Sequence, residues 1–234
     1  MQPEQTSLAA LIGSRICHDL INPIGAISNG LELVAMTAPT PDTPEMTLIQ
    51  QSCDNASARI RFFRIAFGST GDQRVVPAVD AHRTLAAHYT GTRITPVWDI
   101  DRDVPRSAVQ FGYLAVLCLE TALPQGGVIS VSMEDGVMRA TAQGVSVTRE
   151  PSLWNLLRTG VTDARDLRPA HVQFGLLAQL CAECDTAPSM QVDGDSAQLS
   201  IRLPAVASMP ALQLRHAVAY MIRNGPVARR IQKC

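Results

Sequence analysis

Ser14-Arg15-Ile16-Cys17-His18-Asp19-Leu20-Ile21-Asn22-Pro23 places a histidine, an acid, an amide and a proline within one short stretch of an amphipathic segment. The segment runs from about Glu4 to Met36. At about 100° per residue, Ile16, Leu20, Ile24, Ile27, Leu31 and Val34 fall within about 40° of one line. Such a seam, sustained over several turns, has the character of a coiled coil. Arg15, His18, Asn22, Gly25 and Asn29 cluster on the opposite side, so the spacing points His18 to solvent with Asn22 one turn further along. Pro23 removes one backbone hydrogen bond from this helix and is expected to kink it.

Ala38-Pro39-Thr40-Pro41 cannot continue a helix. A second helix then starts with Asp42 as the expected N-cap, Pro44 in the first turn and Glu45 at capping-box spacing. Its seam is Met46, Ile49, Cys53, Ala56, Ile60, Phe63 and Phe67, and Gly68 ends it. Two helices joined by a short loop make an antiparallel hairpin, which leaves an apolar groove open. Pairing two hairpins closes that groove, so a homodimer through a four-helix bundle is expected; packing of the hairpin on its own C-terminal half is the plainer alternative.

The residue types around His18 suit one chemistry. Neutral imidazole with one free nitrogen is a good nucleophile toward phosphorus. Asp19 offers a carboxylate to fix the tautomer and stabilise the cation that develops during attack. Asn22 is suited to orienting water or a phosphoryl oxygen, and Arg15 to offering charge to the group in transit. Gly25 keeps the surface low enough for a partner's active site to come close.

The motif His18-Asp19-Leu20-Ile21-Asn22-Pro23 resembles the H-box of histidine kinases and histidine phosphotransferases, commonly H-[DE]-x-x-N-P. By that resemblance His18 is the phosphorylated residue, Asp19 its acid/base partner and Asn22 an assistant in transfer or hydrolysis. Arg15, Gly25 and Asn29 are candidate partner-binding positions.

Beyond Gly68-Ser69-Thr70-Gly71 the pattern changes. Asp80 is a candidate cap for a helix to about Tyr89. Arg93 to Asp99 reads as a strand and Pro105 to Leu123 as a long buried helix. Val128 to Met133 and Val137 to Gln143 flank Asp135-Gly136, a two-residue hairpin turn. Ser152 to Arg158 and Pro169 to Cys184 read as helices, and Met190 to Asp193 with Ala197 to Leu203 as a final hairpin around Gly194-Asp195. Helices alternating with antiparallel hairpins indicate an α+β fold, an α/β sandwich with helices on one sheet face. Three parts are expected: the hairpin over 1–70, the sandwich over 71–204 and a basic, helical tail over 205–234.

The order of elements resembles the ATP-binding domain of histidine kinases, with the nucleotide boxes degenerate. Thr141-Ala142-Gln143-Gly144 stands where the family has an acid beside glycines. Leu117 to Leu123 holds Glu120 but no asparagine, and the glycine-rich lid is reduced to Gly160 and Gly175. With Ser14 to Leu33 (SRICHDLINPIGAISNGLEL), the whole is similar to the ChpT-type histidine phosphotransferases of alphaproteobacteria. That resemblance implies a dimer that relays phosphate from the receiver domain of a hybrid histidine kinase to response regulators of the CtrA type. It implies no cofactor bound by this chain, with Mg2+ supplied by the receiver. A divergent histidine kinase that phosphorylates itself from ATP, and a non-catalytic receiver-binding scaffold, are the competing readings.

Composition fits a globular chain: 18% charged, with net charge −1. That balance argues against nucleic acid as a partner, because phosphate contacts need clustered Lys and Arg. No apolar run reaches the ~18–20 residues of a membrane span, and no signal peptide is apparent, so a cytoplasmic protein is expected. Six cysteines are scattered, and Cys181 and Cys184 form a lone C-x-x-C without the further ligands of a zinc site, so they read as core residues on a helix. His82, His88, His171 and His216 read as surface or packed imidazoles, and Trp98 and Trp154 as core anchors.

Overall fold

The computed structural model describes residues 8–36, 43–68, 74–159 and 167–203. Within the first helix, the side chains of Arg15, Cys17 and His18 fall outside the described set. The expected tail helix and Gly160 also lie outside it.

Helix α1 (Leu8–Met36) continues through Pro23, which interrupts the hydrogen-bond ladder without ending the helix. Helix α2 (Pro44–Ala66) returns alongside it. Its cap is Thr43 and not Asp42: Thr43 is extended, at φ −94° and ψ 154°, and its Oγ1 accepts from the Met46 N–H at 3.3 Å. The reason is local. The residue before a proline is driven out of the helical region, so the boundary falls directly before Pro44.

The hairpin does not close along the centre of the expected seam. Pro23 and Gly30 are buried on α1, while Ile24 and Leu31 stay 53% and 54% exposed. On α2, Met46 and Ile60 are likewise exposed. At about 100° per residue, both uncovered stripes are turned to the same side of the antiparallel pair. The two helices thus touch along the flank of each seam, leaving an apolar strip over one face of the hairpin.

The remainder is a five-stranded sheet covered on one face by helices. Strands β2 (Ile94–Asp99), β4 (Gly127–Glu134), β5 (Val137–Gln143), β7 (Ser196–Arg202) and β6 (Ser189–Asp193) lie in the order β2-β4-β5-β7-β6. Only the β2–β4 pair is parallel. Asp135 and Gly136, both at positive φ, make the two-residue β4–β5 turn expected from their sequence. Alternate residues Ile129, Val131, Met138, Ala140, Leu199 and Ile201 face the core. Helices α3 (Ala78–Tyr89), α4 (Arg106–Glu120), α5 (Pro151–Thr159) and α6 (Val172–Glu183) cover that face. Pro77, not Asp80, is the N-cap of α3; Asp80 sits in its first turn and pairs with Arg83. Two-residue strands β1 (Val75–Val76) and β3 (Val104–Pro105) pair beside α4, a contact with no periodicity to reveal it. Trp98 and Trp154 are buried as expected.

The hairpin and the sheet domain share one core. Phe62 of α2 is fully buried, its ring stacked on Tyr113 of α4 at 4.7 Å and on His88 of α3 at 3.9 Å. Ile16 of α1 packs on the same core, and Ile12 on Leu167 and Val172. Side chains of α4 also hold the end of α2. Gln110 Nε2 donates to Ala66 O at 3.2 Å and to Gly68 O at 2.8 Å, and the Arg106 guanidinium donates to Arg64 O.

Candidate functional site

An uninterrupted α-helix sets the relative placement of the motif residues, because positions three, four and seven apart share one face. Asn22, Gly25 and Asn29 are all exposed and follow one another along α1, and residue 18 falls on the same face by its place in the helix. A Cβ built on Gly25 meets nothing within 4 Å, so the fold itself does not require glycine there. Any demand for a low surface at Gly25 comes from outside the chain.

Asp19 is set apart from this row. It is half-buried and turned toward α2, and its backbone carbonyl accepts from Arg59 Nη1 at 3.4 Å. The structure therefore groups Asn22, Gly25 and Asn29 with position 18 and places Asp19 on the rim between that face and the second helix. Arg59 is a residue the motif did not reveal. Its signal was indirect: Pro23 has no N–H to give to the carbonyl four residues before it, which is that of Asp19.

The site lies at the end of the hairpin that meets the sheet domain. Ile12 and Ile16 precede position 18 on α1; Ile12 packs on Leu167 and Val172 of that domain, and Ile16 on the core that α2 shares with it.

Glu120 and Gly144 are both hydrogen-bonded within the sheet domain. The Tyr89 hydroxyl donates to Glu120 Oε2 at 2.9 Å, and the Gly144 N–H donates to Asp195 O at 3.2 Å. Cys181 lies on the buried side of α6, beside fully buried Cys118, and Cys184 is the C-cap of that helix. Burial, followed by the proximity of Cys184, pushes the Cys181 thiol up to about 12; burial, followed by Cys181, raises the Cys118 thiol well above its ordinary value. These are packed, protonated thiols. Among the described residues, no group of three or more His, Cys, Asp or Glu side chains is arranged to hold a metal. Among the same residues, no helix is long and apolar enough to cross a membrane.

Residues 78–196, just over half of the chain, match the family model described as the histidine phosphotransferase C-terminal domain. Over 129 residues the chain is 39% identical to the protein phosphotransferase ChpT of Brucella abortus (strain 2308), a match that covers 54% of this chain and 61% of the relative. The chain thus spans less than two thirds of that curated relative. A solved bacterial phosphotransferase superposes with a TM-score of 0.68 at 31% identity, covering 85% of this chain and 98% of that one. The chain belongs to the histidine phosphotransferase family.

Proposed function

We propose that this member of the family is the histidine-carrying intermediate of a phosphorelay. A free imidazole nitrogen of His18 attacks the phosphorus of an aspartyl phosphate on the receiver domain of a hybrid histidine kinase. The P–N bond forms as the P–O bond to the aspartate breaks, and the carboxylate leaves. The reverse reaction then delivers the phosphoryl group to an aspartate on a response-regulator receiver of the CtrA type and regenerates His18.

The observation that carries this reading is the intact H-D-x-x-N-P motif on a long helix, with Asn22 exposed on the face shared by position 18. Asn22 is suited to holding a phosphoryl oxygen in line, and Asp19 to accepting a proton or stabilising the imidazolium. Arg15, Gly25 and Asn29 extend the docking surface along the same helix. The charge on the group in transit is met by the Mg2+ of the receiver, and this chain contributes no nucleotide.

The working form is a homodimer in the cytoplasm. Ile24 and Leu31 on α1 with Met46 and Ile60 on α2 leave an apolar strip of the kind that closes into a four-helix bundle with a second copy. The strip lies on the side of α1 away from position 18, so dimerisation leaves both phosphorylation faces open.

The test is transfer of label from a phosphorylated receiver to the wild-type chain and to His18→Ala. Label on the wild type alone is expected. Label acquired by the wild type from ATP and magnesium without a receiver would overturn the assignment in favour of a kinase.

A further inference from the structure

Every interior carbonyl of an α-helix accepts from the N–H four residues later. Pro23 breaks that rule for the carbonyl of Asp19, the residue directly after His18. A carbonyl held in a helix without its donor loosens the turn to which it belongs, unless another group fills the gap. Here the neighbouring helix fills it: Arg59 Nη1 of α2 donates to Asp19 O at 3.4 Å.

We propose that Arg59 is a positioning residue for phosphoryl transfer at His18, standing in for the backbone donor that Pro23 lacks. The proposal rests on the reading of His18 as the phosphoryl carrier and names what holds that residue in place. Guanidinium is suited to the task because it stays protonated and presents its donors in a rigid fork. Its own anchorage is firm. Arg59 sits one turn before Phe62 and Phe63, both buried in the core shared with the sheet domain. Continuous contact therefore runs from that core through α2 and Arg59 to the turn that carries His18. Arg59 is half-buried and reaches the Asp19 carbonyl across the hairpin.

Pro23 and Arg59 are thereby coupled, which a double-mutant cycle on the full chain tests. Arg59→Met in the Pro23 background should slow the maximal rate of transfer roughly fivefold, the scale of about 1 kcal/mol for one hydrogen bond of ordinary net strength. The receiver concentration at half-maximal rate should stay the same, and Arg59→Lys should restore much of the loss. In Pro23→Ala the backbone N–H of residue 23 returns to Asp19 O, and Arg59→Met should then cost less than about twofold. A second readout needs no activity: the carbonyl 13C resonance of Asp19 should move on Arg59→Met when residue 23 is Pro and stay put when it is Ala.

Equal losses in both backgrounds, or an Asp19 carbonyl resonance that ignores Arg59→Met, would overturn the proposal. If the wild-type chain takes no label on His18, the phosphocarrier reading fails, and the carbonyl resonance still decides whether Arg59 replaces the missing donor.

Discussion

Gly30 of α1 lies directly against Ile49 of α2: a Cβ at residue 30 would come within 2.5 Å of Ile49 Cγ1. Ile49 and the Glu45 carbonyl of α2 occupy the space a side chain at residue 30 would need. Gly25, on the same helix, faces open space. Of these two glycines five residues apart, the fold requires only Gly30 to lack a side chain.

Gly30→Val should therefore destabilise the hairpin by about 1–3 kcal/mol, the usual cost of overpacking a filled contact. Gly25→Ala should leave the fold intact or strengthen it by up to about 1 kcal/mol through helix propensity. Thermal melts read the first difference. Transfer assays read the second: if Gly25 admits a receiver, Gly25→Ala raises the receiver concentration needed for half-maximal rate.

Phe62 joins the hairpin to the sheet domain, fully buried between Tyr113 and His88. Its replacement by Ala should cost about 3–5 kcal/mol, since a large cavity opens in a shared core. Because that core is continuous, the described body should unfold in one cooperative transition. Calorimetry checks both: a wild-type melt with two separate transitions would show that the two parts do not depend on each other.

The apolar strip makes a prediction of its own. Ile24→Glu combined with Ile60→Glu puts like charges on two positions that are each about half exposed in the single chain. Helical content should be retained, and sedimentation should show a monomer where the wild type shows a dimer. A wild-type monomer at micromolar concentration would count against the bundle.

Alkaline pH should weaken the protein. Desolvation raises the thiols of Cys181 and Cys118 above the ordinary 9.0, to about 12 for Cys181, and raises the Tyr113 phenol in the same direction. Below pH about 9 these thiols are protonated in both folded and unfolded chains, so they contribute no pH dependence. As pH rises from there toward about 12, the unfolded thiols ionise first, the unfolded state binds fewer protons, and stability falls. Melting temperature should drop steadily on that limb, and Cys181→Ala should flatten it even while lowering stability at neutral pH.

Much of the fold was readable because its signals are local. Asp135-Gly136 between alternating strands needs only turn chemistry, and Val137 to Gln143 appears in the structure with those bounds. The N-cap of α2 shifted by one residue because the restriction before Pro44 outweighs the capping strength of aspartate. Strands β1 and β3 leave no mark in the sequence because two residues carry no period.

For the functional site, the sequence by itself determined the motif, the helix it rides on and the face shared by positions 18, 22, 25 and 29, since a 3.6-residue repeat fixes direction around a helix from spacing alone. It did not determine what stands beside that helix. That Pro23 and Gly30 turn inward, that Phe62 enters the sheet-domain core and that Arg59 reaches Asp19 O were decided only by tertiary structure. Periodicity defines an apolar seam but not which flank of it meets a neighbour. Contacts between residues some forty positions apart in the chain depend on how the two helices dock, which no local pattern records.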